Sequence, residues 1–445
     1  MRRSGVALTA LVCGWAAFLS WLGLWKFAIY RADVDDGIFT QVLLSFGHGF
    51  SSTVEGGVNH LSVHFSPILF LLVPLVRAVG DARALIVAQA LLCALVAIPV
   101  YAIARRRVGA APSVLIAAIA LCYPPLWALA FTDFHEAAFV PVLAATLAWA
   151  LDAGKRRAAF FSALALCCTK EDQFVIVGAI GIIAALVWRS DRGRVQLGLT
   201  LSALAAGMAV LYFLVLRPLF FPGVPYWSLH FYNWTFTGGS PLGYAPLASP
   251  IRVLYLFWAF APLLFIPLRS RLALLAIPGF IEVLASHEAI TISLGTHYVA
   301  AWMGYVLAAF AAGCAELVLA RDRWRRAIVA AAPIACALTL FFNDPMARWY
   351  FLYRTPNEHD AALGSLLRSL PRDVTIGADD EIFAHLANRR EASIGLANQR
   401  FLVFDADYDS ERWKIGDPRV RALLQAGTYR KLYERDGAVV LARAR

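Results

Sequence analysis

Charge is what this sequence has least of. Only 16% of its 445 residues are Asp, Glu, Lys or Arg, while 60% are hydrophobic. A soluble globular domain carries about a quarter charged residues, so much of this chain must face something other than water. Cysteine is sparse and badly placed for cross-linking. The seven cysteines (Cys13, Cys93, Cys122, Cys167, Cys168, Cys314 and Cys336) all fall in apolar segments. None stands in an outer loop or the tail, and no spacing fits zinc, which excludes a disulfide scaffold and a zinc fold. The chain also lacks internal repeats, low-complexity stretches and alternating apolar–polar strands, so neither a solenoid nor a membrane β-barrel is encoded.

What is present is a series of long apolar runs. Residues 7–25, 84–104, 112–131, 137–151, 195–216, 298–315 and 327–342 are the clearest. A helix needs roughly 17–25 apolar residues to cross a bilayer. The sequence therefore predicts an all-α polytopic bundle. Met1-Arg2-Arg3 and the apolar stretch after it resemble a signal peptide, but the stretch is long and reaches Trp25-Lys26-Phe27 without a small-residue cleavage site. An uncleaved first span is expected.

The net charge of +10 is explained by topology rather than by nucleic acid. Basic residues gather in short clusters: Arg2-Arg3, Arg105-Arg106-Arg107, Lys155-Arg156-Arg157, Arg189/Arg192/Arg194, Arg269/Arg271 and Arg321/Arg323/Arg325/Arg326. Short Lys/Arg-rich loops stay cytoplasmic, so an even number of crossings must separate neighbouring clusters. That parity keeps Phe65–Val79 from crossing, since a crossing there would place every later cluster outside. With Pro67, Pro74 and Arg77 it reads as a membrane-lying segment within a long outer loop, 31–83. The same parity splits 158–188 into two short helices around Lys170-Glu171-Asp172. About eleven crossings result: 7–30, 84–104, 112–131, 137–153, 158–169, 173–188, 195–216, 251–268, 272–286, 298–319 and 327–342. The N-terminus is then cytoplasmic in an inner-membrane protein, and the tail is outside.

The composition changes at Asn343. Residues 1–343 form the membrane domain and 344–445 a small α/β domain. In the tail, helices are expected at 358–369, 379–387 and 418–426, with strands at Val374–Gly377, Phe401–Phe404, Tyr429–Tyr433 and Ala438–Ala442.

The polar residues collect on the outer face. The first loop offers Asp33, Asp35, Asp36, His48, Glu55, Asn59, His60 and His64. Later loops add Asp133, His135, Glu136, Lys170, Glu171, Asp172, Arg217, His230, His287, Glu288 and His297. Ionisable groups at membrane depth are costly and mark functional cavities. Blander readings compete: the aspartates can cap a helix, and Arg217 beside Pro218 can snorkel. His60 and His64, spaced i, i+4, would share a helix face and could bind a metal. The aromatic loop 218–250 suits a membrane surface and also a sugar ring.

This plan resembles the C superfamily of membrane glycosyltransferases, in which a first span, an acidic motif and a loop of membrane-lying helices precede a span ending here in YAIARRRVG (101–109). More specifically, DDGIFTQ (35–41), NHLSVHFSPILFLLVPL (59–75), DFHEAAFVPVL (133–143) and KEDQFVIV (170–177) resemble the hallmark blocks of a bacterial membrane-protein family called domain of unknown function 2079. That family's acidic motif reads Asp-Leu-Gly-Ile-Phe-Asp-Gln; here Asp36 replaces the leucine and Thr40 the second aspartate. The resemblance implies sugar transfer from a polyprenyl-phosphate carrier at the outer face, to an acceptor the sequence does not name. Asp35 or Asp36 would be the base. The leaving phosphate would be met by Arg217 and Lys170, or by a divalent metal (Mg or Mn) held by Asp35, Asp133, His135 or Glu171. His60, His64, Glu136, Asp172 and His297 would complete the substrate site. The rival functions are a transporter or flippase and a non-catalytic membrane scaffold.

Overall fold

The computed structural model describes residues 2–226, 248–286, 288–320, 322–342, 354–396, 398–405 and 418–444. His230, His287 and most of the aromatic loop 218–250 lie outside the described residues.

Among the described residues, five helices are long and apolar enough to cross a membrane: Arg3–Ala28, Arg83–Arg105, Glu136–Ala153, Arg192–Phe220 and His297–Leu319. A sixth span exists if Ala110–Leu121 and Pro124–Phe131 count as one, although they meet at a 56° bend. The sequence suggested one unbroken span there. Pro124 and Pro125 open the second piece and push Tyr123 into extended backbone, so the helix must break. The Tyr123 hydroxyl, fully buried, closes the break by donating to the Ala259 carbonyl at 2.5 Å.

The other expected crossings are shorter helical pieces, such as Arg156–Cys167, Asp172–Val187 and Ile251–Phe260. Between 261 and 276 the backbone runs mainly as 3-10 turns, because Pro262 and Pro267 cannot donate to an α-helical ladder. Arg323–Phe342 is helical over twenty residues and carries Pro333. Of the segment read as membrane-lying, residues 67–79 form a short 3-10 and α piece. Its Ile68, Leu69, Val73 and Val76 pack inward, while Phe70, Leu71, Leu75 and Val79 stay exposed, as suits a helix lying in a lipid surface.

The centre of the bundle is the helix Ala300–Leu319, whose Trp302, Tyr305 and Phe310 are fully buried. Close approach of its neighbour requires a residue without a side chain, since a Cβ on Gly304 would fall 2.4 Å from the Pro141 carbonyl oxygen. One end of the bundle collects arginines. Asp152 accepts from Arg107 at 2.8 Å and 2.9 Å, and its carbonyl accepts from Arg194 at 3.2 Å. Arg194 and Arg271 both stack on Trp188, at 5.5 Å and 5.0 Å from its ring centroid. Three of the basic clusters read as cytoplasmic therefore share one end.

The tail forms the α/β unit expected. Five strands, β1 (Ile376–Ala378), β2 (Ala392–Ser393), β3 (Phe401–Asp405), β4 (Tyr429–Arg435) and β5 (Ala438–Arg443), lie in the order β2-β1-β3-β5-β4. β1 is parallel to β2 and β3, and β5 is antiparallel to β3 and β4. Asp436 and Gly437, at φ 47° and 82°, make the tight turn between β4 and β5. β2, two residues long, gave no sequence signal. The helix Glu358–Ser369 starts at a reciprocal cap between Asn357 and Asp360.

This unit sits against the second helix of the chain. With α1 spanning Arg2–Ala28 and α2 spanning Val34–Leu44, the His385 ring stacks between Phe27 of α1 (3.8 Å) and Tyr30 of the connection (4.0 Å). Gln41 of α2 donates to the carbonyls of Arg389 (3.1 Å) and Ala392 (2.9 Å). Gly37 of α2 lies directly beneath Phe383, and a Cβ there would come within 2.4 Å of that ring. α2 is thus clamped from behind by the tail while its acidic end faces the bundle.

Candidate functional site

The acidic motif opens α2. Asp33 caps the helix by accepting from the Val34 amide at 2.7 Å. Of the two that follow, Asp35 is half-buried and Asp36 is buried at 2% exposure. Asp36 accepts from the Phe134 amide at 2.9 Å, which joins the motif to the loop Thr132–His135. Asp133, on that same loop, takes the Lys26 ammonium at 2.7 Å and also accepts from the Asp33 amide. Burial raises the carboxyls of both Asp36 and Asp133, and Lys26 between them offsets part of that rise. The loop itself is held from the helix Arg83–Arg105 by Gln89, which donates to the carbonyls of Leu129 (2.9 Å) and Thr132 (2.8 Å) and accepts from the His135 amide (3.1 Å).

A second group forms around Glu171. Its carboxylate meets His64 Nδ1 at 3.0 Å, the Phe65 amide at 2.8 Å and the Tyr226 hydroxyl at 2.8 Å. Although burial alone would raise it, His64 and Lys170 hold this carboxyl well below the usual range. His60 instead pairs with Glu55, Nδ1 to Oε1 at 2.7 Å; burial works against its proton, but Glu55 holds the ring above the ordinary imidazole value. The shared helix face expected for His60 and His64 is not formed. The helix covers only His60–Val63, and His64 is its extended C-cap. Each histidine has its own carboxylate, and the two rings are 6.1 Å apart.

Arg217 is buried and gives its guanidinium to the Ser62 carbonyl and, at 2.9 Å, to the Val224 carbonyl, with the Tyr226 ring 4.9 Å away. Beside it Tyr212, inside the π-helical stretch Leu211–Leu216, donates to the Leu61 carbonyl at 2.9 Å. Both side chains order the histidine-bearing loop. This differs from the expectation that Arg217 would face a phosphate; with carbonyls in reach, a buried guanidinium satisfies its donors on the backbone.

Between these groups lies a third. His135 and His297 stack face to face, 3.8 Å apart and 9° from parallel, and burial lowers His135 well below its ordinary value. Lys170 is half-buried; burial works against its charge, but Asp172, Glu136 and Glu171 raise it above the ordinary lysine value. Asp35, Glu136, Lys170 and Glu288 all act electrostatically on the Tyr298 hydroxyl. Glu282, half-buried, brings a further carboxyl near Asp172. The sequence left out Lys26, Gln89 and Glu282, and gave Glu288 no role. A lone carboxylate inside IPGFIEVLA (277–285) was a usable signal for Glu282.

The four residues named as metal candidates do not gather. Asp133 is taken by Lys26, Glu171 by His64, and His135 by His297. Among the described residues, no three His, Cys, Asp or Glu side chains converge so as to hold a metal ion.

Comparison with known proteins now adds the family. Residues 26–440 match the family described as "Predicted membrane protein (DUF2079)", and the chain belongs to it. Curated protein sequences give no match. Among solved structures, the fold is similar to ArnT from Cupriavidus metallidurans bound to undecaprenyl phosphate, at a TM-score of 0.61 and 13% identity, covering 97% of this chain and 98% of that one. The apo form of the same protein is similar at a TM-score of 0.59 and 14% identity, with the same coverage. At such identity the likeness is one of fold.

Proposed function

We propose that this member of the family is a membrane glycosyltransferase, moving a sugar from a polyprenyl-phosphate carrier to an acceptor at the end of the bundle opposite the arginines. The observation that carries the reading is the joining of the acidic motif of α2 to the loop Thr132–His135, through the Phe134 amide on Asp36, on a fold shared with a protein that binds undecaprenyl phosphate.

Asp35 is the base in this reading. It is half-buried, whereas Asp36 is buried and held by the Phe134 amide, which suits positioning. The acceptor's oxygen attacks the anomeric carbon, its proton passes to Asp35, and the carrier leaves as its phosphate. Lys170 supplies the charge that stabilises this leaving group. Arg217 contributes by holding the backbone of Leu61–Val63. His60, His64, Asp133, His135, Glu136, Glu171, Asp172 and His297 shape the pocket around donor and acceptor. Among the described residues the side chains form no three-ligand cage for a divalent ion.

The topology belongs to the same proposal: eleven crossings, a cytoplasmic N-terminus and an extracytoplasmic tail, with the division between domains near residue 343. The tail's packing on α2, at the end away from the arginines, supports it. The direct test is transfer of labelled sugar from polyprenyl-phosphate donors by the purified chain in proteoliposomes. Movement of intact donor across the membrane without transfer would identify a flippase and overturn the reading.

A further inference from the structure

Trp188 carries two guanidiniums on one ring. It closes the helix Asp172–Val187 and is buried to 5% exposure, with Arg194 at 5.5 Å and Arg271 at 5.0 Å from its ring centroid. The two arginines come from separate parts of the chain. Arg194 lies in the first turn of the helix Arg192–Val210, and Arg271 opens the 3-10 segment Arg271–Ala276. An indole face attracts a cation without neutralising it.

Carboxylates do little of that work here. Arg194 reaches Asp191 at 3.3 Å and the Asp152 carbonyl at 3.2 Å. The Asp152 carboxylate is itself taken by Arg107 at 2.8 Å. Arg271 is exposed, and among the described residues its guanidinium meets no carboxylate and no carbonyl. Arg189, beside Trp188, Arg192, beside Asp191, and Arg269, two residues before Arg271, are also exposed and have no acidic partner among the described residues. Positive charge is thus held together in excess, and an anion entering between the guanidiniums would relieve their repulsion.

The surroundings choose the anion. Leu186, two residues before Trp188, is 66% exposed, and Leu268 and Leu274, on either side of Arg271, are 57% and 43% exposed. On a membrane-spanning bundle such leucines are covered by acyl chains, which are as apolar as they are. A soluble phosphate would match the arginines and leave the leucines bare. An acidic phospholipid matches both, since a guanidinium fork suits a phosphodiester and the chains lie along the leucines.

We propose that Trp188, Arg194 and Arg271 form a binding site for the phosphodiester headgroup of an acidic glycerophospholipid, with Trp188 as the platform that holds both guanidiniums. The helix Asp172–Val187, ~24 Å long at 1.5 Å per residue, separates this site from Lys170 and Glu171. It is therefore distinct from the proposed sugar-transfer site and does not depend on that reading.

The test is lipid retention by the purified full chain, titrated in detergent with dioleoyl phosphatidylglycerol or dioleoyl phosphatidylcholine and read by native mass spectrometry. Phosphatidylglycerol is expected to bind more tightly, because phosphatidylcholine has the same chains and no net charge. Arg271→Gln should weaken its binding about fivefold, the usual worth of one arginine near an anionic headgroup. Arg326→Gln removes the same charge from a different cluster and should leave binding unchanged. Both side chains are exposed, so both variants should fold. Trp188→Leu should also weaken binding, with every charge in place. Equal binding of the two lipids, unchanged binding by Arg271→Gln, or an equal loss with Arg326→Gln would overturn the inference. Full binding by Trp188→Leu would overturn it too, by reducing the site to bare charge. Displacement of the lipid by glycerol phosphate at matching concentration would make free phosphate the ligand, and would equally count against it.

Discussion

Lys26 Nζ lies 2.7 Å from Asp133 Oδ1, joining the last turn of the first helix to the loop that follows the broken helix pair. The same ammonium donates to the Phe131 carbonyl at 2.9 Å. Through the Asp33 amide, this pair fixes where α2 begins, and so where Asp35 stands.

Removing one member should leave the other charge uncompensated. Lys26→Met is expected to destabilise the protein by about 3–5 kcal/mol, the usual cost of breaking a largely buried pair. Adding Asp133→Asn should recover a large part of that loss. Thermal unfolding of the two single variants and the double variant checks this, and additive losses would show that the pair is not coupled.

Gly37 tests the clamp between tail and membrane domain. Gly37→Ala places a methyl group 2.4 Å from the Phe383 ring, so the tail must shift. A cost of about 1–3 kcal/mol is expected, seen as faster proteolytic release of residues beyond 354. Phe383→Leu in the same chain should restore resistance.

Asp379 predicts a pH dependence confined to the tail. Burial pushes its carboxyl up to about 7 from an ordinary 3.8, although it accepts from the Ile382 and Asp405 amides. The folded tail therefore holds this proton more tightly than the unfolded chain does. Its stability should be greatest below about pH 4 as far as this group is concerned, and should fall as pH rises towards about 7. Hydrogen exchange of β1 and β3 across that window should show the slope, and Asp379→Asn should flatten it.

The charge clusters predict orientation. Reporter fusions after Arg107, Arg157, Arg194, Arg271 and Arg326 should all report cytoplasm, and one after Arg445 should report the outside. A cytoplasmic reporter at the C-terminus would contradict the eleven-crossing topology.

Much of this molecule was legible beforehand, and the reasons are specific. The tail's elements matched to within a few residues because each carried its own punctuation: the Asn357–Asp360 cap, the Asp436-Gly437 turn, the apolar run Phe401–Phe404. The polar residues of the loops were legible because carboxylates and histidines are costly in an apolar chain. Partnership was not. Spacing suggested that His60 and His64 act together, but a four-residue helix separates them and each finds a carboxylate distant from the other. Lys26 looked like a span's end rather than the counterion of Asp133, since nothing local relates residues 107 positions apart. Prolines at 124, 262 and 267 were visible, yet their effect on span length depends on how neighbouring helices take up the freed carbonyls, as Tyr123 does for Ala259.

The central claim is that Asp35 acts as a base in sugar transfer, and one comparison addresses it most directly. Turnover and donor binding are measured side by side for the wild-type chain and for Asp35→Asn. A base acts in the transition state, so its loss should lower turnover by roughly 10²–10⁴-fold while polyprenyl-phosphate sugar still binds with little change. Full retention of transfer by Asp35→Asn would contradict the account.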